Sequence, residues 1–420
     1  MSESIQTLAN PLATGTDYEA LAARFRPIFA RIAEGAEQRE RERILPAEAI
    51  GWLKQAGFGA VRVPVEYGGA GASLPQLIQL WIELATADSN LVQALRGHFA
   101  FVEDKLNAPP SAHREVWLRR FVAGELVGNG WTEVGAVKIG DVITKVAPSE
   151  DGSHWLLNGT KYYSTGSIFA DWIDVYAQRS DTGGAVIAAV STHQDGVQQS
   201  DDWDGFGQRT TGSGTSVFQN ARVEQEEVID FAERFRYQTA LYQLNLLAVL
   251  AGIGKAIERD VAAQVGKRTR IYSHGNAPRV SEDAQILQVV GHISAIAYAV
   301  EATVVRSAQP AQAAYEARFG QDAEVERQAN IAAEIESAQA QVIVSELVLR
   351  AATELFNALG ASAASEKIAL DRHWRNARTV SSHNPLVYKA RIIGDWVTNG
   401  TEPPYVWQIG NTPDAEKRAA

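Results

Sequence analysis

The chain of 420 residues contains no cysteine, and its single methionine is Met1. Without thiols it can build neither a disulfide framework nor a thiolate metal site. Cysteine and methionine normally fill cores as small or adaptable hydrophobes, so packing gives no reason to leave them out. Three readings stay open. A protein that handles a peroxide-like oxidant gains from having no thiol or thioether nearby, because both oxidise readily. A protein made by a cell short of sulfur gains by consuming none. The third is compositional drift in an alanine-rich chain, 45% of which is hydrophobic.

Other absences narrow the class. No cluster of lysines and arginines could track a phosphate backbone, and the formal charge is -11, which argues against nucleic acid. The N-terminal MSESIQTLANPLATG lacks a basic segment followed by an apolar run, so no export signal is expected; the absence of cysteine makes the cytoplasm the default compartment. Tyr237 to Gly254 carries no charge and is long enough to raise a membrane span, but Gln238, Thr239, Gln243 and Asn245 interrupt it. A buried helix is expected there, and no membrane partner. The eight histidines show no paired helical spacing with a carboxylate, so no metal is expected. Nor is there a glycine-rich dinucleotide fingerprint or a nucleophile elbow.

At this length two or three packed units are expected. Residues 1–125 read as an α-helical unit. Pro46 opens a segment that closes near Gly57, an apolar-periodic run follows Pro75, and Val63-Pro-Val-Glu-Tyr-Gly-Gly-Ala-Gly71 between them is a loop. The texture changes over residues 126–232. Runs rich in β-branched and aromatic residues occur at Val142–Val146, Trp155–Tyr163, Trp172–Ala177, Ala185–Val190 and Ser216–Val223, with turns at Glu150–Ser153 and Asp181–Gly184. This predicts a compact antiparallel β-barrel or sandwich. Residues 233–420 are helical again. Ile286, Val290, Ile293, Ala297, Val300 and Val304 recur at steps of four and three, as do Ile331, Ile335, Ala338, Val342, Ser345 and Leu349. Such stripes predict a four-helix bundle, with Pro310 to Asp322 as the turn between these two helices, and an α+β fold class overall.

That order resembles the acyl-CoA dehydrogenase superfamily along nearly the whole chain. The resemblance is carried by Pro64-Val-Glu-Tyr-Gly-Gly69 with Gly71, Trp131-Thr-Glu-Val-Gly-Ala136, Leu157-Asn-Gly-Thr-Lys161, Gly207-Gln-Arg-Thr-Thr-Gly-Ser213 and Asp371-Arg-His-Trp-Arg-Asn-Ala-Arg378. Dehydrogenases of that superfamily carry a glutamate late in the chain that removes the proton α to the thioester. The equivalent stretch here, Thr379-Val-Ser-Ser-His-Asn-Pro385, has no carboxylate, and neither imidazole nor amide easily replaces one in carbon-acid chemistry. After Thr132-Glu133 the usual Gly-Ser-Asp is Val137-Lys-Ile139, and the expected arginine-plus-Phe-Gly signature is Arg268-Thr-Arg-Ile-Tyr272.

The segment from Arg375 to Pro385, with Asp201-Asp-Trp203 and Gly97-His98, is similar instead to the flavin-dependent monooxygenase branch, which includes dibenzothiophene monooxygenase and sulfur-acquisition oxidoreductases. The resemblance implies reduced FMN, with FAD as the alternative, supplied by a separate NAD(P)H:flavin reductase. It implies dioxygen as co-substrate, forming a C4a-hydroperoxide, a small organosulfur substrate, and a homotetramer. Other outcomes of the same fold are an N- or aromatic-ring hydroxylase and a dehydrogenase whose base is displaced to Glu133 or Glu366. Val380 and Ser362 depart from the dibenzothiophene monooxygenase pattern, which has a histidine and an arginine there.

The resemblance also assigns roles. His383 takes the position of the dehydrogenase base and, beside Arg372, Arg375 and Arg378, is expected to donate to the distal peroxide oxygen. His98 is expected as a substrate-side or water-relaying group. Asn129 and Thr132, at the end of the first barrel strand, fall at the flavin's polar edge. Thr165 falls where a hydroxyl meets flavin N5, with Tyr163 in the same cofactor-binding segment. Trp203 walls the pocket above the ring, and Arg270 reaches the FMN phosphate. Without the resemblance, Asn129, Thr132 and Thr165 read as strand-end residues satisfying backbone groups, the histidines as structural groups, and Trp203 as core packing.

Overall fold

The computed structural model describes residues 17–133 and 142–406. Helices open it: α1 (Tyr18–Glu42), α2 (Ala47–Gln55), α3 (Leu74–Ala87), α4 (Ser89–Ala94), α5 (Arg96–Asn107) and α6 (Ala112–Val122). Several starts are written in the sequence. Asp17 accepts the N–H of Glu19, Ser73 and Gln76 form a reciprocal capping box ahead of α3, and Ser111 accepts from Arg114. The expected loop from Val63 to Gly71 is present, with one 3-10 turn at Val65–Tyr67. All of α5 is buried, including Arg96, His98, Glu103, Asp104 and Lys105.

Eight strands follow among the described residues: β1 (Val127–Gly130), β2 (Lys145–Pro148), β3 (His154–Ser164), β4 (Trp172–Arg179), β5 (Ala185–Ser191), β6 (Val197–Gln199), β7 (Gly214–Glu224) and β8 (Val228–Asp230). Their order is β6-β7-β3-β2-β4-β5-β8, with β1 also on β4. The alternation predicts antiparallel pairing; the sheet is mixed, because β1 and β2 both run parallel to β4. Period-two alternation marks a strand but not the direction of its neighbour. β1 and β2 occupy one edge of β4 in succession, against Trp172–Val175 and then Gln178–Arg179, so the chain between them leaves and rejoins a single strand position. Thr132 and Glu133 lie on that excursion; Val137, Lys138 and Ile139 fall outside the described residues.

Helices return as α7 (Gln238–Lys267), α8 (Ala284–Ala317), α9 (Ala323–Glu354), α10 (Asp371–Ser381) and α11 (Leu386–Asn399). From Gln238 to Gly254 every residue of α7 is buried except Tyr242. Both α7 and α8 are long and apolar enough to cross a membrane by length and composition, but the apolar stretch is 89% buried in α7 and 28% buried in α8. Pro310 lies inside α8, not in a turn, and the helix continues to Ala317. Proline there removes one backbone hydrogen bond, yet Pro310, Ala311 and Ala314 are buried and core packing holds the helix through them.

One apolar core joins the first and last helices, with Trp81 and Phe99 packed among Leu244, Ile253, Val344 and Val348. A second fills the sheet around Leu157, Ile173, Val175 and Phe218. A third couples α5 and α6 to the sheet through Phe101, Trp117, Phe121, Val127 and Ile187. The start of α5 therefore lies where the helical and β units meet.

Candidate active site

Two glycines set the distances at this junction. A Cβ at Gly97 would stand 2.9 Å from Cβ of Asn129, and one at Gly166, where φ is +75°, would overlap the Ala94 carbonyl oxygen. Arg96, Asn129 and Thr165 are thereby held around the first turn of α5.

Arg96 Nη1 lies 2.6 Å from Nε2 of His383, in the turn between α10 and α11. A guanidinium has only donors, so Nε2 is the acceptor and the imidazole proton sits on Nδ1, 3.4 Å from Oδ1 of Asn384. Burial and then the Arg96 charge lower the His383 pKa to about 3, which keeps the ring neutral. His383 as a residue is exposed, in the turn between the two helices. Asn384 is fixed by Gln243 Oε1 at 3.0 Å and by Nε2 of Gln341, which donates to its carbonyl at 3.0 Å.

In this arrangement Nε2 accepts from Arg96, so the hydrogen left for the expected donation from His383 is the one on Nδ1. The expected neighbours are corrected. Arg372 pairs with Asp260 at 2.5 Å, Arg375 with Glu40 at 2.8 Å, and Arg378 bonds Ser382 at 2.9 Å. The cation beside His383 comes from α5 instead.

On the other side of Arg96 stand Tyr242 and Trp131. The guanidinium carbon is 5.4 Å from the Tyr242 ring, whose centroid is 5.8 Å from that of Trp131. Trp131 Nε1 donates to Asp174 at 3.2 Å, and Asp174 also accepts from Arg234 at 3.0 Å. Burial pushes the Tyr242 phenol up to about 12, so it stays protonated as a donor.

The cofactor candidates lie along β1, β3 and the loop before β7. Asn129 and Thr165 are buried; Thr132 is half-buried, its carbonyl accepting from the Tyr162 N–H at 3.0 Å. Thr165 Oγ1 is 2.8 Å from Ser213 Oγ, which is 2.7 Å from Thr211 Oγ1. Tyr163 has φ +61°, a left-handed backbone rarely adopted by an aromatic residue, at a register shift in β3. The residue is 43% exposed, and its ring meets Trp203 edge-on at 5.8 Å. Trp203 is pinned by Nε1 donating to Gly207 at 3.1 Å.

His98 does not join this group. It is buried, with Nε2 2.8 Å from the Gly59 carbonyl and Nδ1 accepting from Val127 at 3.3 Å. Both nitrogens are used to tie Gly59, in the turn after α2, to β1, and burial lowers the His98 pKa to about 4. It is a structural tie rather than a substrate-side group. Arg270 is exposed beyond the end of α7, away from a side-chain partner among the described residues.

Neither nominated alternative base is suited to proton abstraction. Glu133 accepts from Lys161 at 2.7 Å and from the N–H groups of Ile143 and Thr144 at 2.8 Å. Burial opposes its ionisation, but those donors outweigh it and hold the pKa at about 2. Glu366 is exposed in the loop before α10.

Sequence reasoning missed Arg96, Tyr242 and Trp131. One signal was there: Arg96 is the single Asp, Glu, Lys or Arg between Asp88 and Glu103. Within the junction Asn129 Oδ1, Ser164 Oγ, Arg96 Nε and Tyr242 Oη are buried without hydrogen-bond partners among the described residues. Buried polar atoms are nearly always satisfied, so such a group of orphans marks a place for a ligand. A planar ring system with alternating carbonyl and N–H edges suits the Asn129, Ser164 and Thr165 side of it. A separate cleft of about 450 Å³, lined by Asp260, Arg372 and His373, contains none of the predicted site residues. Among the described residues no group of three or more His, Asp or Glu could hold a metal.

A helical unit, a mixed β unit and a helical bundle, with orphaned polar groups at their junction, define a flavoprotein of the acyl-CoA dehydrogenase type. The chain belongs to the acyl-CoA dehydrogenase family, matching its N-terminal domain over residues 16–125, its middle domain over 129–221 and its C-terminal domain over 244–387. It is 27% identical to a dibenzothiophene monooxygenase of Rhodococcus erythropolis, over 84% of this chain and 86% of that protein. It is 25% identical to a probable FMNH2-dependent monooxygenase, SfnC, of Pseudomonas putida, over 90% and 94%. Among solved structures, FMN-bound TdsC from Paenibacillus sp. A11-2 superposes with a TM-score of 0.82 at 26% identity, covering 92% of this chain and 99% of TdsC. The methanesulfinate monooxygenase MsuC of Pseudomonas fluorescens gives 0.81 at 26%, covering 92% and 98%.

Proposed function

We propose that the protein is a two-component flavin-dependent monooxygenase that uses reduced FMN and dioxygen to oxygenate a small organosulfur compound. The Arg96–His383 contact carries this reading. At the position where a dehydrogenase needs a carboxylate, the chain has a neutral imidazole held by a cation. The likeness to SfnC, TdsC, MsuC and dibenzothiophene monooxygenase supports the same assignment.

Asn129, Thr132, Tyr163, Thr165 and Trp203 are the residues that would hold the flavin ring, and Arg270 its phosphate. Bound reduced FMN supplies the two electrons with which dioxygen is activated. The protein's part is to position, to donate hydrogen bonds and to exclude water. The Asn129 amide and Thr165 hydroxyl do not titrate at ordinary pH, so their hydrogen bonding is constant. Trp131 and Tyr242 wall the site on the α7 side. His383 fixes the Arg96 guanidinium on one ring nitrogen and faces Asn384 with the other, acting as a positioning residue.

The chain has no dinucleotide fingerprint, which supports a separate reductase. A homotetramer is supported by α8, where Leu287 is 48% and Tyr298 77% exposed on an apolar helix that a second copy would cover. The compartment proposed is the cytoplasm.

The test supplies photoreduced FMN to the purified protein in air, without reductase, and assays methanesulfinate, dimethyl sulfone, dibenzothiophene and indole separately by mass spectrometry. The expected result is an oxygenated product from a sulfur compound. Product from indole alone would overturn the substrate assignment, and product from none, with all dioxygen recovered as hydrogen peroxide, would overturn the reading.

A further inference from the structure

Three arginines are more than nine-tenths buried among the described residues: Arg62, Arg96 and Arg234. Arg62 pairs with Glu103 at 2.7 Å, and Arg234 with Asp104 and Asp174 at 3.0 Å each. Arg96 is 6% exposed and, among the described residues, pairs with no carboxylate. Its hydrogen-bond partner is a neutral imidazole, its Nε has none, and the ring of Tyr242, with an equally unpartnered hydroxyl, stands beside it.

An uncompensated buried charge is strongly unfavourable, and proteins pair such charges with a counter-ion. Among the described residues the fold does so twice and omits it once, beside His383 in the candidate site. A missing counter-ion there is one the ligand brings.

We infer that Arg96 binds an anionic group of the substrate, a compact oxyanion of the alkanesulfinate class, with the Tyr242 hydroxyl as a second donor. This rests on the monooxygenase reading and narrows it, from organosulfur compounds in general to those carrying a negative charge. A guanidinium retains donors beyond the one given to His383, and its charge-assisted hydrogen bonds suit carboxylate-like oxygens. A neutral sulfide or sulfone would accept hydrogen bonds but leave the charge uncompensated.

The test compares full-length wild type with Arg96→Gln and Arg96→Lys by calorimetry and thermal melting, using methanesulfinate, dimethyl sulfone and acetate as probes. Wild type should bind methanesulfinate at least ~10-fold tighter than dimethyl sulfone, and Arg96→Gln should lose ~30-fold or more of the methanesulfinate affinity. Because it removes an unpaired charge, Arg96→Gln should melt no lower than wild type without ligand. Arg96→Lys should keep weakened binding of methanesulfinate. An Arg96→Gln variant that melts well below wild type or fails to fold, or an Arg96→Lys variant that binds unchanged, would make Arg96 a structural residue and overturn the inference. Equal affinity for dimethyl sulfone would overturn it too, and acetate binding as tightly as methanesulfinate would overturn the sulfinate assignment. FMN affinity and dioxygen uptake with reduced FMN are read on the same samples. Normal flavin use without sulfinate binding sinks this inference alone, whereas loss of flavin use sinks the reading beneath it.

Discussion

Arg96 and His383, 287 residues apart in sequence, meet at 2.6 Å with the guanidinium donating to Nε2 of a neutral imidazole. The contact joins the first turn of α5 to the turn between α10 and α11, across the junction of the helical and β units. It places a charge-to-neutral hydrogen bond in the stretch Thr379–Pro385, which contains no aspartate or glutamate.

Replacing His383 by alanine removes the acceptor that orients Arg96. Oxygenated product should fall by ~10²-fold while dioxygen uptake with reduced FMN continues, the difference appearing as hydrogen peroxide. FMN affinity, measured by fluorescence quenching, should change little. A proportional loss of flavin affinity would assign His383 to cofactor binding instead.

Asn129→Ala separates binding from stability. Its Oδ1 has no partner, so truncation should leave the melting temperature close to wild type and raise the Kd for FMN by ~10-fold, the worth of one hydrogen bond. A large fall in melting temperature would show that Asn129 serves the fold.

Arg270→Ala probes the phosphate contact, with the flavin itself as control. Exposed and unpaired among the described residues, Arg270 should be neutral for stability. The variant should bind FMN ~10-fold or more weakly and riboflavin as wild type does. Equal losses for both flavins would contradict a phosphate role.

Glu133→Gln leaves the fully buried Lys161 ammonium without its carboxylate. Stability in urea should drop by about 3 kcal/mol, while oxygenation per folded molecule is retained. Selective loss of activity in a stable variant would restore Glu133 as a displaced base.

His98 should appear in the pH dependence of stability. Its pKa is lowered in the fold from 6.5 to about 4, so between those values the unfolded chain binds more protons. The stabilisation is fully present above pH 6.5 and is lost as pH falls toward 4, by about 3 kcal/mol at most. Urea melts across that window should show a shallower slope for His98→Gln, although His373 and His383 shift the same way and keep some slope.

The element types were legible because their signals are local. Ser73 with Gln76 announces α3, the stripes in α8 and α9 repeat every three or four residues, and five of the strands alternate or cluster β-branched residues. β1 was hard to see as a paired strand, since Val-Gly-Asn-Gly is buried on both faces and offers no alternation. Pro310 misled because a proline ends most helices, while here core packing carries α8 past it. In the site, the family motifs pointed to His383, Asn129 and Thr165. Arg96 and Tyr242 escaped because what marks them is an unmet partner, which only the folded arrangement reveals. His98 looked functional for the opposite reason: a histidine beside a glycine gives no hint that both its nitrogens are already bonded.

In the proposed reaction, electrons on reduced FMN activate dioxygen for transfer to sulfur, in place of α-proton removal from a thioester. Its most direct test is oxygen-18 gas with reduced FMN and the organosulfur substrate, followed by mass spectrometry, alongside an anaerobic mixture of oxidised FMN-loaded protein with acyl-CoA. One labelled oxygen atom in the sulfur product and a flavin that stays oxidised with acyl-CoA are expected. Unlabelled product, or bleaching of the flavin by acyl-CoA, would contradict it.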